Sequence, residues 1–167
     1  MCKKYFFCLF CETSREKDVE LYLRQMGYNV ITALVERKVF VKGKIKNVLR
    51  SIIPGYVFFE NENILDGISW KDLCKMQYIY FPLKYTDNEK ALRGKDLDFV
   101  NWLEGNNGII KISKVIKNGK KIKAVEGPLK DFVGKIIKIN KRQKCAAVKL
   151  DGEGIEKIIW LSYEYIE

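Results

Sequence analysis

The chain has 167 residues, 47% hydrophobic and 13% aromatic, which is enough apolar material for a packed core and excludes a largely disordered protein. It carries 31 lysines and arginines against 21 acidic residues, a net charge of +10 that favours polyanionic partners. It contains no histidine, which excludes the ordinary serine–histidine and cysteine–histidine catalytic pairs. No apolar run reaches the roughly 20 residues that cross a bilayer, and no signal-peptide cleavage site follows the start. We therefore expect a cytoplasmic monomer without a membrane partner or a cofactor.

The first elements are a strand and a helix. Tyr5–Cys11 is apolar and aromatic, which predicts a buried strand. Thr13 and Glu16 have the spacing of a capping box, in which the two side chains bind the first free amides of a helix. Gly27 is placed to end that helix. The helix carries one apolar stripe, formed by Val19, Tyr22, Leu23 and Met26.

Strand and helix patterns continue through residue 103. Asn29–Val41 predicts extended chain, and Lys42–Lys44 predicts the tip of a hairpin. A Pro-Gly corner within Ile52–Phe59 leads into a strongly β-prone run. Helices are predicted over Leu65–Met76 and Leu92–Leu103. The second of these helices places four residues on one side: Leu92, Asp96, Phe99 and Leu103.

The last third of the chain changes character after the turn-rich stretch Glu104–Gly108. We expect a first domain over residues 1–104, a linker over 105–114 and a second domain over 115–167. In the second domain, Asn118-Gly119 lies between two strand patterns and predicts a two-residue hairpin. Three further short strands are predicted, over 134–140, 145–150 and 157–160. Short strands at regular spacing are typical of a small barrel.

Two features of this second domain suggest a role. Gly127-Pro128 predicts a sharp turn after a strand, and Gly134 predicts a bulge or a close backbone approach where the next strand begins. The basic excess also lies here, because residues 109–167 carry 14 basic against 7 acidic residues, whereas residues 1–108 carry 17 against 14. The turn Asn140–Lys144 projects three cations and two amides from a hairpin tip.

Two motifs resemble the NusG family of transcription elongation factors. The stretch AVEGPLKDFVGKIIKINKRQKCAAVKL resembles the family's KOW motif. The stretches FFCLFCETSRE and RSIIPGYVFFE resemble the first strand, helix start and Pro-Gly-Tyr strand of its NGN domain. The resemblance covers nearly the whole chain in the correct order. It implies an α/β (α+β) NGN sandwich domain followed by an all-β, SH3-like, five-stranded KOW barrel.

The resemblance also implies a protein partner. NGN domains bind the clamp helices of RNA polymerase through an apolar, aromatic patch. Carried over by position, that patch consists of Phe10, Tyr56, Phe58 and Phe81. Because a strand alternates its faces, Tyr56 and Phe58 share one face, and one face can dock a partner while the other forms core. The alternative is that these aromatic side chains all belong to the core.

The KOW domain is where members of the family differ. Housekeeping members carry a Phe-Gly-Arg-x-Thr-Pro-Val element near the end, in the region that recruits Rho or a ribosomal protein, but this chain has Asp151–Glu156 there. The motif is closer to LoaP-type antiterminators, whose KOW domain binds a structured RNA hairpin in the nascent transcript. On that reading the RNA-binding candidates are Lys121, Lys123, Lys135, Lys138, Lys141, Arg142, Lys144 and Lys149. A solvated basic turn, and a housekeeping factor that binds Rho or a ribosomal protein, remain the alternatives.

Cys8 and Cys11 form a CxxC sequence, which raises the hypothesis of a redox enzyme. If the strand continues through Cys11, a rise of roughly 3.3 Å per residue places the two Cα atoms about 10 Å apart. A disulfide requires less than about 7 Å. A zinc site lacks both a second cysteine pair and any histidine. We therefore expect a regulator with no catalytic residues and no metal, and we keep the redox protein as a remote alternative.

Overall fold

The computed structural model describes residues 3–132 and 135–166, which form three α-helices, one 3-10 helix and twelve strands. The helices are α1 (Glu16–Gln25), α2 (Gly67–Leu73) and α3 (Gly94–Gly105), and the 3-10 helix is Pro128–Phe132. The strands are β1 (Tyr5–Cys11), β2 (Asn29–Ile31), β3 (Leu34–Val41), β4 (Lys44–Ser51), β5 (Tyr56–Asn61), β6 (Ile79–Pro82), β7 (Ile109–Ile110), β8 (Ser113–Asn118), β9 (Lys121–Glu126), β10 (Ile136–Asn140), β11 (Cys145–Asp151) and β12 (Glu156–Tyr165). No helix in the described residues combines the length and apolar character needed to cross a bilayer.

The first domain is built on a four-stranded sheet that is covered on both faces. Its strand order is β2-β5-β1-β6, and β1 pairs antiparallel with both β5 and β6. Alternate residues of β1 and β5 enter two separate apolar clusters. Val57 and Phe59 pack in the cluster that contains α1, whereas Cys8 and Phe58 pack in the cluster that contains α3 and the barrel. The predicted strand Tyr5–Cys11 is confirmed, with burial on both sides.

A long hairpin, here called the arm, extends from this domain and consists of β3 and β4, Leu34–Ser51. The predicted tip is confirmed, because Lys42 and Gly43 both have positive φ (50° and 77°) and form the two-residue turn that matches strand twist. Only the base of the arm is extended into a wider sheet, where β7 pairs with Leu34 and Val35. Most of the arm is therefore a two-stranded ribbon.

The second domain is a curled five-stranded sheet with the order β10-β11-β12-β8-β9, which confirms the predicted barrel. The predicted hairpin between β8 and β9 is present with its tip one residue later than expected. Asn118 pairs with Lys121, so the turn residues are Gly119 and Lys120, and Gly119 supplies the positive φ of 63°. The segment 105–114, expected as a linker, contains β7, and Ile110 is fully buried.

The Gly127-Pro128 corner combines a sharp turn with a close contact. Gly127 has a φ of 100°, and a Cβ on it would lie 2.8 Å from the Ser113 Cα. The Leu129 amide donates to Ser113 Oγ at 2.9 Å as the chain enters the 3-10 helix. A close backbone approach is therefore present at Gly127, and the bulge or close approach expected at Gly134 lies outside the described residues.

The predicted starts of the first two helices are displaced for different reasons: one expected cap is not formed, and another cap was not predicted. Helix α1 begins after Arg15 without a side-chain cap, because Glu16 Oε1 accepts from the Gly55 amide at 2.8 Å instead of closing a capping box. Helix α2 begins at Gly67, where Asp66 accepts from the Ser69 amide at 2.8 Å and acts as the N-cap.

Candidate functional site

Three of the four predicted polymerase-binding aromatics form one cluster, here called the aromatic patch: Phe10, Tyr56 and Phe81. Strand β1 lies between β5 and β6, so that Phe10 is paired with Tyr56 on one side and with Phe81 on the other. The ring centroid of Phe10 lies 4.9 Å from that of Tyr56 and 5.0 Å from that of Phe81. Phe81 is on the edge strand and 56% exposed, whereas Phe10 and Tyr56 are half-buried. The patch is thus an aromatic surface with an exposed edge.

Phe58, the fourth predicted residue, does not belong to the aromatic patch, so this part of the prediction is wrong. Its side chain is fully buried, and its ring packs against Phe99 of α3 with centroids 5.9 Å apart. The prediction assumed that one face of β5 was open to a partner. That face is covered by α3 and the barrel along most of the strand, and only its first residue, Tyr56, reaches the rim.

A groove of about 820 Å³ runs beside the aromatic patch. Phe10 and Phe81 line one part of it, and Trp70 and Cys74 of the α2 region line another. Charged side chains of both signs border the groove: Lys71, Lys84, Lys90, Asp87 and Glu153. Lys84 is paired with Asp87 at 2.7 Å. An apolar floor with charged side chains at its border suits a partner helix that presents apolar and charged side chains.

The barrel meets the first domain at a buried carboxylate, and we call this contact the latch. Asp96 of α3 is 1% exposed, and its two oxygens accept from the Gly154 amide at 2.8 Å and the Ile155 amide at 2.9 Å. The Tyr85 hydroxyl also donates to Asp96, at 2.6 Å. Burial, followed by this hydrogen bond, raises the pKa of Tyr85. A Cβ on Gly152 would overlap Asp96, so the glycine makes this approach possible.

Two exposed ion pairs between the first domain and the barrel lie beside the latch. The guanidinium of Arg93 contacts Glu153 at 2.9 Å, and Lys95 Nζ lies 3.0 Å from the Asp151 carboxylate. The hydrogen bond from Lys95 lowers the pKa of Asp151. The segment Asp151–Glu156, which stands where housekeeping members carry their Phe-Gly-Arg element, is therefore one of the segments that join the barrel to the first domain.

The structure does not gather the eight predicted RNA-binding cations into one site. Lys121 and Lys123 lie on β9 and Lys138 lies on β10, at opposite edges of the five-stranded sheet. Lys135 and Lys149 line a small cavity beside α3 that also includes Asp98, Asp131 and Asp151. Lys141, Arg142 and Lys144 remain together in the turn between β10 and β11, and all three are exposed.

This turn, here called the tip, is ordered by its own amides. Asn140 Oδ1 accepts from the Gln143 amide at 3.0 Å, and Asn140 Nδ2 donates to Gln143 Oε1 at 3.2 Å. Lys144 has a φ of 52°, and its carbonyl accepts from the Tyr163 amide at 2.9 Å. The predicted polar side chains thus hold the backbone of the turn and leave its cations at the surface.

The CxxC cysteines are buried in β1, which continues through Cys11. Burial raises the pKa of the Cys8 thiol, and burial together with nearby carboxylates raises that of Cys11 to about 12. A nucleophilic or redox cysteine requires a lowered pKa and access to solvent. In residues 3–132 and 135–166, no cluster of three or more cysteine and acidic side chains has the arrangement of a metal site.

Sequence reasoning missed two features. Asp96 lies on the apolar side of its predicted helix. A carboxylate on that side indicates a buried polar contact, and this was the available signal for the latch. The arm's charge was missed because residues 1–108 were counted together, which hid six cations within Leu34–Ser51.

An α/β domain with an aromatic surface, latched to a small barrel with a basic turn, is the arrangement of a two-domain binding protein. A family model described as "Transcription termination factor nusG" matches residues 4–98, more than half of the chain. The chain therefore belongs to the NusG family of transcription factors.

One structural comparison agrees with this family at the level of the fold. A solved structure described as "Domain interaction in Thermotoga maritima NusG" is 19% identical, covers 96% of this chain and 94% of that chain, and has a TM-score of 0.51. A second, described as "Crystal Structure of MjSpt4:Spt5 complex conformation A", is 12% identical over 95% of this chain and 99% of that chain. Its TM-score is 0.33. The comparison with curated proteins gave no match.

Proposed function

We propose that this protein is a specialised, LoaP-type elongation factor that binds the clamp helices of RNA polymerase through its aromatic patch and structured RNA through its barrel, and so promotes read-through of terminators. The observation that carries the proposal is the aromatic patch itself. In a domain of the NusG family, Phe81 presents an exposed ring beside two half-buried aromatic rings.

The groove beside the patch supports a helical partner. Its apolar floor continues from Phe10 to Trp70, and such a surface buries the apolar face of a helix while the charged side chains at its border contact charged side chains of the partner. Lys157 of β12 lies over the Tyr56 ring, 5.9 Å from its centroid, and covers part of the patch. Binding through Tyr56 therefore requires this lysine side chain to move aside.

The latch supports the RNA-binding branch over the housekeeping one. Asp151 and Glu153 lie in the region where housekeeping members recruit Rho or a ribosomal protein, and here they are paired with Lys95 and Arg93 of the first domain. The tip, in contrast, leaves its cations exposed. Phosphate contacts by such cations give affinity that falls steeply with salt.

Polymerase binding is tested by substitutions in the exposed part of the patch. Tyr56→Ala and Phe81→Ala should each weaken binding to purified RNA polymerase by about 10-fold to 30-fold, because truncation of an interface aromatic costs about 2 kcal/mol. Lys157→Ala, which only uncovers Tyr56, should bind at least as tightly as the wild type. Unchanged affinity in both aromatic variants, with their thermal midpoints preserved, would place the polymerase contact elsewhere.

The RNA-binding branch is tested separately with the tip variant Arg142→Gln/Lys144→Asn, in which asparagine suits the positive φ of Lys144. We expect loss of read-through in a reconstituted transcription assay on a template with a leader hairpin, with polymerase binding retained. Capture of Rho or a ribosomal protein by the wild type, unaffected by the tip variant, would favour the housekeeping alternative.

A further inference from the structure

The arm is the most basic element of the first domain. Within Leu34–Ser51 there are six cations and a single acid, Glu36, so the arm carries half of the chain's net charge of +10. The rest of residues 1–108 has 11 basic and 13 acidic residues. Two apolar side chains opposite one another near the tip are also largely exposed, Phe40 at 74% and Ile45 at 69%. The exposed aromatic ring and the concentrated positive charge of the arm indicate a surface that binds a partner.

Hydrogen bonds hold the arm against strand β12 of the barrel. The guanidinium of Arg37 donates to Ser162 Oγ at 2.9 Å and to the Trp160 carbonyl at 2.6 Å. Ser162 Oγ in turn donates to the Glu36 carbonyl at 2.7 Å. Lys38 Nζ lies 2.6 Å from the Glu164 carboxylate. Arg37 and Lys38 are therefore positioning residues, and they set the distance between the arm and the barrel.

A cleft of about 720 Å³ lies between the arm and the tip. Phe40 and Arg50 line it on the arm side, and Arg142 and Lys144 line it on the barrel side. Arg50, Arg142 and Lys144 form no salt bridge with any described residue. Glu164 of β12 offsets part of this charge. Two walls of the same sign still repel one another, so the cleft keeps an excess of positive charge that an external anion can neutralise.

We propose that the arm and the tip form one composite cleft that binds an unpaired RNA segment, such as the loop of a hairpin. This inference rests on the proposed function and assigns half of the RNA site to the polymerase-binding domain. Arg50, Arg142 and Lys144 contact phosphates from both walls, and Phe40 stacks on a base. Unpaired RNA fits better than a duplex because an exposed aromatic ring contacts bases only where they are unstacked.

The test uses the full chain with a fluorescent oligouridine of about 12 nucleotides, a length within the usual site size of single-strand binders. The arm variant Phe40→Ser/Arg50→Ala should bind about 10-fold to 100-fold more weakly, since one lost base stack alone accounts for about 10-fold. The tip variant Arg142→Gln/Lys144→Asn should weaken binding to a similar extent. The matched control Lys46→Ala loses a charge from the arm outside the cleft and should stay within about threefold of the wild type.

The variant that combines the arm and tip substitutions tests whether the two walls of the cleft bind the same RNA segment. Because both contact one RNA segment, we expect the combined loss to be smaller than the product of the two separate losses. If the arm variant equals Lys46→Ala while the tip variant loses affinity, the composite cleft is overturned and the proposed function stands. If neither variant loses affinity, the composite cleft is overturned, and the read-through assay with the tip variant decides the proposed function separately. Equal affinity for an RNA duplex of the same length, or tighter binding of oligothymidine, would overturn the assignment to unpaired RNA.

Discussion

The latch and the composite cleft are two places where the barrel faces the first domain, and their electrostatics are opposite. At the latch, the carboxylate of Asp96 receives two barrel amides, and Arg93 and Lys95 face the acidic side chains of Glu153 and Asp151. At the composite cleft, the basic arm faces the basic tip across open space. The first contact is satisfied within the molecule, whereas the second is not.

The difference separates a structural contact from a binding surface. Complementary charges at the latch stabilise the docked arrangement without any ligand, although each exposed pair contributes little. Like charges at the cleft lower stability slightly and become favourable only when a polyanion enters. Substitutions should therefore act in opposite directions at the two places, which makes the comparison testable.

The largest expected effect is at the latch. Asp96→Ala removes the acceptor for two buried amides and the Tyr85 hydroxyl, and we expect the free energy of unfolding to fall by about 3 kcal/mol or more. Urea denaturation of the full chain measures this. Asp98→Ala, two residues along α3 at an exposed position, is the control and should change stability by less than about 0.5 kcal/mol. An equal loss of unfolding free energy in the two variants would show that Asp96 does not dock the barrel.

Charge reversal at the two places should give smaller effects of opposite sign. Arg142→Glu places an acid opposite the basic arm, and at low salt we expect the thermal midpoint to rise by about 1–2 °C while oligouridine binding falls. Glu153→Arg places a cation beside Arg93 and should lower the midpoint by a similar amount. Calorimetry at low and high salt checks both, because screening should shrink both shifts. Shifts of the same sign would contradict the comparison.

The smallest expected effect is on stability at acid pH, and it concerns the Lys38–Glu164 ion pair that holds the arm against the barrel. The hydrogen bond from Lys38 lowers the pKa of Glu164 from its ordinary value of 4.5, so the folded chain binds fewer protons there than the unfolded chain. The stability that this pair contributes is present above pH 4.5 and is lost as pH falls below it. Glu164→Gln and Lys38→Met should each flatten the acid limb of the stability curve, by less than about 1 kcal/mol. Identical acid limbs in all three proteins would show that the pair contributes nothing.

Much of the fold follows from local patterns in the sequence. The strand Tyr5–Cys11, the turn at Lys42-Gly43 and the barrel strands all depend on apolar alternation and turn residues, which act over a few residues. The helix starts at Glu16 and Gly67 were misplaced, because Glu16 binds the distant Gly55 amide and Asp66 provides a cap that was not recognised. At Glu16 the local rule fails because the side chain has a competing partner far along the chain, whereas at Asp66 the local signal was present but was not used.

The sequence by itself determined the two domain types, the aromatic residues of the patch and the cationic turn of the tip, because periodicity, motif and composition are local quantities. Only the tertiary structure decided that Phe58 is core, that Asp96 latches the barrel and that the arm faces the tip. These outcomes depend on which elements cover which faces. Burial and charge complementarity are properties of pairs of surfaces, and the pairs here join residues far apart in the chain: Phe58 with Phe99, Asp96 with Ile155, and Arg37 with Ser162.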